Sequence, residues 1–530
     1  MVVVMGLVGV SVRPPARLIA QEQNSCAHVS LLLNQADQAV AQQLWQRAVS
    51  CLEKTMPLLE EPHRADIAQR LQWCRIHADL EERYRDGSIN RWVQATTVRQ
   101  AGVLLVEVLQ LLRQKYYQEV DFQQLFEKAL VQLQAASENP IVNSHYRLDD
   151  ADLKNLKRTV RFFSERTWVG PNMNGCDLNA LLESLHSFSA KTGLGSSWAV
   201  MELAFALVNS LDEYSYMLSP PQYEELTRHL AGHYLGVGVD LVFDGSYPTI
   251  FDVVPDSPAQ KVGLLPGDLL LKVNQENVRE QSAALVGKLL AQPENQPMGL
   301  TISRNQQELS MFLSRVQLNA ASVRYVHLLD AKNNIGYMRV ASFDRDTFLE
   351  IRCALEKLKS SGVKSLLIDL RGNGGGMLRS AVDAAGIFLD GQVIVTVNSA
   401  VKKTVYRSES CYFPSFSPPI AILVDERTAS AAEIFAAALK DNRRAVLIGQ
   451  RTLGKDLVQT LYQLEHARAA VCITTASYLP PSNNNYHRKG IMPDITVEMF
   501  PADKDRTFSM AFYLSEEDLV LQRAIDYFSR

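Results

Sequence analysis

The stretch KSLLIDLRGNGGG, residues 364–376, sets the expected architecture of the second half of the chain. Its apolar run has the length of one buried strand, and the glycine cluster after it turns the chain into a stretch with helical spacing. Strands are predicted at 335–340, 364–370, 393–397, 420–424 and 445–449, and helices at 344–360, 378–389 and 431–440. Strands that alternate with helices through short connections predict an α/β core.

The pattern changes on both sides of this core. Short strand-like segments with two short helices precede it and predict a small β domain. Further upstream, apolar residues recur at three- and four-residue spacing, which predicts helices. The assigned bounds are 25–190 for a helical N-terminal domain, 191–229 for a helical lead-in, 230–318 for the β domain, 319–500 for the core and 501–530 for a C-terminal helix. The sequence therefore predicts a multidomain α+β chain.

The composition is that of an ordinary folded protein. Of the 530 residues, 47% are hydrophobic and 21% are charged, which excludes a largely disordered chain, a collagen-like repeat and a coiled-coil rod. The formal net charge is −4, and the sequence has no long run of lysine and arginine. Nucleic acid is therefore not expected as a partner.

Seven cysteines are scattered along the chain, and none of them forms a C-x-x-C pair. A zinc site is therefore unsupported, and no metal site or other cofactor is predicted. The thiols are expected to be buried and free, because cysteine often packs in protein cores. One disulfide among Cys26, Cys51 and Cys74 is left open as an alternative.

The N-terminal 24 residues have features of an export signal. The apolar run at 2–12 is too short to span a bilayer, and arginine, prolines and a second short apolar stretch follow it. The basic residues that normally precede such a run are missing. We expect residues 1–24 to be a signal-like segment and the protein to be exported, to the periplasm or the extracellular space. No other stretch approaches 18 continuous apolar residues, so no membrane span is predicted.

The segment TASAAE, residues 428–433, opens the helix that follows the strand at 420–424. Ser430 and Glu433 have the spacing of a capping box, which is a purely structural explanation. A serine at the start of a helix also lies beside free amide hydrogens and the positive end of the helix dipole, and these stabilise a developing oxyanion. Ser430 is therefore a candidate nucleophile.

A base for this serine is predicted in GQRTLGKD, residues 449–456. The segment nearly spells a P-loop, but Asp456 stands where a Ser or Thr is required and strands follow, which argues against nucleotide binding. Lys455 lies 25 positions after Ser430, past a helix and a returning strand, so the two can meet at one sheet edge. Burial must lower the lysine pKa by about three units from about 10.4 for it to act near pH 7. Gln459 is expected to orient the amine without adding charge.

Five separated motifs, in this order, resemble those of the carboxyl-terminal processing peptidases, which are serine peptidases with a serine–lysine dyad. The motifs are Ser210–Tyr214 with Leu218-Ser219-Pro220, the glycine loop at 369–376, the serine segment, the lysine segment and Gly490–Asp494. The resemblance covers residues 205–500. It implies that the β domain at 230–318 is a PDZ domain and that the core at 319–500 is a serine protease core.

Carried over by position, the resemblance makes Ser430 the nucleophile, Lys455 the general base and Gln459 its orienting partner. It implies an oxyanion hole formed by the backbone N–H groups of Gly375 and Ala431. It also implies that a loop of the PDZ domain captures the C-terminal carboxylate of a bound peptide. That loop consists of Leu235, Gly236, Val237, Gly238 and Val239.

The sequence departs from the family pattern at three positions of the two loops. Gly372 stands where the family usually has Asn, Gly374 where it often has Pro, and Asp456 where Gly commonly follows the lysine. A carboxylate at 456 is expected to raise the lysine pKa, so that Asp456→Gly would shift the activity profile to lower pH. Asp441 and Asn442 are expected to cap the nucleophile helix. Residues 25–190 find no clear counterpart in the family.

The predicted function is that of an exported serine endopeptidase acting on protein or peptide substrates with accessible C-termini. The PDZ domain would hold the tail while Ser430 attacks the peptide carbonyl and forms an acyl-enzyme. One alternative is a catalytically silent PDZ scaffold that binds peptides, and another is a nucleotide-dependent enzyme that uses the segment 449–455. The helical N-terminal domain leaves room for a protein partner.

Overall fold

The computed structural model describes residues 2–5, 22–60, 63–146, 197–243, 246–281, 283–291, 295–319, 321–330, 332–409, 418–498 and 509–529. Most of the predicted signal-like segment, residues 147–190 of the predicted helical domain and residues 191–196 of the predicted lead-in lie outside these ranges. Residues 2–5 form strand β1 (Val2–Met5), which lies in the core domain described below. The chain combines a helical N-terminal region, a small β domain and a mixed α/β core, which confirms the predicted fold class.

The described N-terminal region is built from helices whose apolar faces pack together, as their residue spacing predicts. A reciprocal capping box between Thr97 and Gln100 fixes the start of the fifth helix. Cys51 and Cys74 are buried free thiols, and any pair among Cys26, Cys51 and Cys74 includes one of them, so the disulfide left open by the sequence is not formed. The helices are α1 (Glu22–Ala41), α2 (Trp45–Thr55), α3 (His63–Tyr84), α4 (Gly87–Ala95), α5 (Val98–Lys115), α6 (Phe122–Glu138), α7 (Pro140–Tyr146) and α8 (Ser197–Asn209).

Helix α8 connects this region to the rest of the chain. Ten of its thirteen residues are buried, and its core extends to Val471 and Ile473 of the core domain. A short strand and a helix follow, namely β2 (Tyr216–Leu218) and α9 (Pro220–Leu230). Within the described ranges, no single helix is long and apolar enough to cross a membrane. Only α4 and α5 taken together reach that length, and they are bent by 111° at their junction.

The small β domain forms a sheet in the order β4-β5-β6-β8-β9, with β7 paired to β6. Apolar residues of the sheet and of its two helices form a separate core. Strand β3 pairs with β10 and joins the domain to its neighbours. The elements are β3 (His233–Gly236), β4 (Val239–Val242), β5 (Thr249–Val253), α10 (Pro258–Lys261), β6 (Leu269–Val273), β7 (Glu276–Asn277), α11 (Ala283–Leu290), β8 (Pro297–Arg304), β9 (Gln307–Ser314) and β10 (Val316–Asn319).

The core domain contains a six-stranded sheet in the order β11-β12-β13-β17-β18-β21, parallel except for β11. Its central strands are buried because helices cover both faces, as expected for a parallel sheet. The elements up to β18 are β11 (Val323–Asp330), β12 (Ile335–Val340), α12 (Thr347–Ser360), β13 (Ser365–Asp369), β14 (Gly375–Gly376), α13 (Leu378–Gly386), β15 (Val393–Ser399), β16 (Lys403–Arg407), β17 (Ile420–Val424), α14 (Ala431–Asp441) and β18 (Ala445–Gly449).

A second sheet lies beside the first and has the order β14-β1-β19-β20-β15-β16, with β2 paired to β20. The C-terminal helix is shorter than its predicted range and packs on the parallel sheet through Val520, Leu521 and Ala524. The remaining elements are β19 (Leu457–Gln463), β20 (Ala470–Leu479), β21 (Ile495–Thr496), α15 (Met510–Tyr513) and α16 (Leu519–Phe528).

Candidate active site

Ser430 lies at the carboxyl end of the parallel sheet, between β17 and α14. It is fully buried and adopts a left-handed backbone conformation with φ of 61°, a strained geometry for a residue other than glycine. Its Oγ atom has no hydrogen-bond partner. Glu433 accepts a hydrogen bond from the Ser430 backbone N–H at 2.8 Å, so the glutamate half of the predicted capping box is present. The hydroxyl that would complete a structural cap is instead left unpaired.

Glu433 joins the serine to the lysine segment. Its buried carboxylate accepts hydrogen bonds from the backbone N–H groups of Ser430, Gly454 and Lys455 at 2.7–2.9 Å, and from the Thr452 hydroxyl. Burial is the largest influence on this carboxyl group and raises its pKa to about 7, against the four donors that lower it. The start of α14 and the loop after β18 are therefore held together by one side chain.

Tyr478 on β20 makes a second link between the same two residues. Its hydroxyl lies 3.0 Å from the carbonyl oxygen of Ser430 and also contacts the carbonyl oxygen of Lys455. Residues 25 positions apart in the sequence thus share two buried partners. The structure brings Ser430 and Lys455 together at one sheet edge, as the order of strands and helices predicts.

The side chain of Lys455 is enclosed, and the whole residue is only 2% exposed. Its amine lies 4.5 Å from the centre of the Tyr214 ring. Burial is the main cause that lowers the lysine pKa, to about 7, while Cys472, Asp212, Glu433 and Glu213 act in the opposite direction. The amine is therefore largely unprotonated just above neutral pH, which is the state that a general base requires.

Gln459 extends from β19 close to this lysine in sequence and is buried. Its side-chain nitrogen donates to the Thr474 hydroxyl at 3.2 Å, and this fixes the orientation of the amide. The side-chain oxygen of Gln459 has no hydrogen-bond partner. It is therefore free to accept a hydrogen bond from an amine, as the orienting role requires.

The glycine loop lies directly against the serine. A side chain at Gly375 would bring its Cβ atom to 2.9 Å from the Ser430 Cβ and 3.0 Å from the Ala431 nitrogen. The Gly375 backbone N–H donates to the side chain of Asn373 at 2.8 Å. The glycine is therefore next to the serine as predicted, but its amide already has a partner, which the sequence did not reveal.

The backbone of β1 runs through the space between the glycine loop and the lysine strand. Val4 and Met5 pair antiparallel with Gly376 and Gly375. Val2 and Val3 pair antiparallel with Thr460 and Gln459. An extended chain segment thus fits between the two elements that carry the candidate residues.

The carboxylate of Asp456 is placed against His487, whose Nδ1 atom it contacts. The expectation that Asp456 acts on Lys455 is therefore not supported, because the groups that act on that amine are the four named above. Asn442 donates to the carbonyl oxygen of Ala438 at 2.8 Å and so caps α14, as expected. Asp441 accepts from the backbone N–H of Ser482.

Two protein-family models and several curated proteins match this chain. The model of peptidase family S41 matches residues 334–497, and a PDZ domain model matches residues 249–304. The carboxyl-terminal-processing protease of Synechocystis is 31% identical over 327 residues, which are 60% of this chain and 74% of that protein. The chain belongs to the carboxyl-terminal processing peptidases of family S41.

Two further relatives are more distant in coverage or sequence. The "Probable CtpA-like serine protease" of Staphylococcus haemolyticus is 30% identical over 303 residues, and the match spans 55% of this chain and 60% of that protein. The solved photosystem II D1 C-terminal processing protease is 23% identical, with a TM-score of 0.44 over 74% of this chain and 97% of that one.

In this S41 family member, the predicted carboxylate-binding loop of the PDZ domain runs from the end of β3 to the start of β4. A Cβ atom at Gly238 would overlap Ser257, so only glycine fits there. The backbone N–H groups of Val237 and Gly238 donate to no other described residue. Among the described strands, β4 pairs only with β5, so it lies at the edge of the sheet.

Sequence reasoning missed several residues of the site. Tyr478 lies in no motif, and its role depends on how β20 pairs with its neighbours. Glu433 was recognised for its capping spacing, but its bonds to the lysine segment depend on the tertiary fold. Tyr214 belongs to one of the motifs named above, but nothing in the sequence indicates that it contacts Lys455.

Proposed function

We propose that this chain is a serine endopeptidase that cleaves protein substrates presented by their C-terminal tails. The observation that carries the proposal is that Ser430, with an unpaired buried hydroxyl, and Lys455, with a buried amine of pKa about 7, are joined through their backbones at one sheet edge. The pair is held by Glu433 and Tyr478, so its placement is built into the fold.

The chemistry follows from these groups. Neutral Lys455 takes the proton from the Ser430 hydroxyl as the oxygen attacks the peptide carbonyl, and the amine is oriented by the free oxygen of Gln459. The proton then passes to the leaving amine, and water hydrolyses the acyl-enzyme with the lysine again as base. The N–H of Ala431, at the start of α14, and the N–H of Gly375 stabilise the oxyanion. The Gly375 N–H must first release its hydrogen bond to the side chain of Asn373.

Substrate recognition is assigned to two places. The loop Leu235–Val239 has unpaired amides and an adjoining edge strand, which suit a C-terminal carboxylate and the residues before it. The position of β1 supports binding of the scissile segment as an extended strand between Gly375–Gly376 and β19. We further propose that the protein acts after export, on the basis of its signal-like N-terminal residues.

A second candidate is a catalytically silent PDZ scaffold. The hydrogen bond from Gly375 to Asn373 favours it, because it removes one oxyanion donor. Under this alternative the core would hold peptides without cleaving them.

The two candidates are separated by incubating an unfolded model protein that ends in an apolar tail with wild-type enzyme and with Ser430→Ala. The proposal expects fragments from the wild type alone across pH 6–10, and covalent labelling of Ser430 by a fluorophosphonate. Amidation of the substrate tail, which removes the carboxylate charge, is the matched control and should raise KM more than it lowers kcat. If the wild type and Ser430→Ala both leave the substrate intact, the silent scaffold is the better account.

A further inference from the structure

Tyr214 is the aromatic side chain that covers the candidate base. It belongs to residues 210–215, which connect α8 to β2 and precede the PDZ domain in the chain. The face of its ring lies 4.5 Å from the amine of Lys455. The residue is half-buried, and the amine that it contacts belongs to a lysine that is only 2% exposed.

The segment that carries Tyr214 is held rigidly. The carboxylate of Asp212 accepts hydrogen bonds from the backbone N–H groups of Tyr214 and Ser215, both at 2.8 Å. The Ser215 hydroxyl accepts from the backbone N–H of Thr474 at 3.2 Å, and Thr474 in turn holds the amide of Gln459. One short segment therefore fixes both the ring over the lysine and the partner that orients it.

We propose that Tyr214 is a positioning residue for Lys455 and that its ring excludes water from the amine. This inference rests on the proposed function and deepens it. The ring, not the phenol hydroxyl, carries the role, because the hydroxyl interacts with Glu213. The lysine pocket is thus completed by a segment outside the region matched by the peptidase model.

The expected change in the Lys455 pKa depends on the charged and titratable groups around the amine and on its burial. Cys472, Asp212, Glu433 and Glu213 all favour the protonated amine, and Glu213 is itself paired with Arg488. Burial outweighs them and keeps the lysine pKa low. Water that replaces the ring would solvate the ammonium form, so removal of the ring raises the lysine pKa. Loss of the cation–π contact acts the other way, so the expected rise in the lysine pKa is the net of the two effects.

The test measures the lysine pKa directly, without relying on proteolysis. Full-length protein carrying Ser430→Ala is treated with acetic anhydride over a range of pH, and acetylation of Lys455 is followed by mass spectrometry. Tyr214→Ala is expected to raise the lysine pKa by about one unit or more, which lowers the unprotonated fraction near pH 7 by up to about tenfold. Tyr214→Phe, which keeps the ring, is expected to restore the wild-type titration.

Enzyme kinetics give the second readout. With Ser430 intact, Tyr214→Ala should lower kcat/KM several-fold near neutral pH and approach the wild-type value near pH 10, a recovery that a merely structural defect would not show. Tyr214→Leu serves the same purpose should the alanine variant fail to fold. An unchanged or lower lysine pKa in Tyr214→Ala and Tyr214→Leu would overturn the inference. A raised lysine pKa in Tyr214→Ala, found together with no proteolysis by the wild-type protein, would sustain this inference and refute the proposed function.

Discussion

Replacement of Lys455 by methionine is expected to stabilise the protein while abolishing its activity. Methionine has a similar length and shape but cannot take a proton, so it leaves the packing of the pocket largely intact. The amine of Lys455 makes no hydrogen bond to any described residue, so no such bond is lost. The difference in stability therefore reports the free energy needed to keep this amine out of water.

The magnitude follows from the two pKa values of the lysine. In the folded state the value is about 7, against 10.5 in the open chain. A folded-state pKa below the unfolded value means that stability is greatest above pH 10.5 and is lost as the pH falls toward 7, because only the unfolded chain takes the proton. At about 1.36 kcal/mol per pKa unit, the loss at pH 7 is about 4 kcal/mol. Near pH 10 it is less than about 1 kcal/mol.

The assay is urea unfolding of wild type and Lys455→Met at pH 7 and at pH 10, followed by tryptophan fluorescence. The variant should be more stable by about 4 kcal/mol at pH 7 and nearly equal to the wild type at pH 10. Lys440→Met, at a partly exposed lysine paired with Asp494, is the matched control and should show no comparable gain. A Lys455→Met variant that is no more stable than the wild type at pH 7 would refute the reasoning that the amine is buried and unprotonated.

Three further predictions concern the residues around the dyad. Glu433→Gln leaves the Gly454 N–H without an acceptor and should lower the unfolding free energy by about 1–3 kcal/mol in urea titrations near pH 7. Because burial raises the Glu433 pKa to about 7, this deficit should be larger near pH 4.5 and shrink as the pH rises through 7; a constant deficit would contradict a shifted carboxyl group. Asp456→Gly should leave the pH profile of kcat/KM unchanged, since the carboxylate contacts His487, and a shift to lower pH would show that it acts on the amine. Gly375→Ala places a Cβ atom against Ser430 and should lower kcat by about 100-fold or more in peptide cleavage, whereas activity near the wild-type level would exclude the glycine from the oxyanion site.

The sequence predicted the meeting of Ser430 and Lys455 for a reason that is purely topological. Ser430 follows β17 and Lys455 follows β18, and these are neighbouring parallel strands. The carboxyl ends of such strands lie at the same edge of the sheet, so residues just after them come together whatever the details of packing. Alternation of strands and helices in the sequence was sufficient to predict this.

The contacts that tune the pair depend on distant parts of the chain. Tyr214 precedes the PDZ domain, and Tyr478 follows the lysine on β20, so neither has a sequence spacing that relates it to the serine. The Gly375 N–H donates to the side chain of Asn373, although the same N–H was expected to face an oxyanion. The pattern of residue types does not indicate which of these two acceptors it takes. The packing of α8 against β20 is a similar case. The sequence indicates that both elements have apolar residues, but it does not indicate that they pack against each other.

The distance between Ser430 Oγ and Lys455 Nζ, read from a crystal structure with a peptide boronate bound to the serine, tests the central claim most directly. The account predicts a separation of about 2.6–3.2 Å, with the amine also within reach of the Gln459 oxygen and the Gly375 N–H turned from Asn373 to the boronate. An amine that points away from the modified serine, with the Gly375–Asn373 bond still in place, would contradict it.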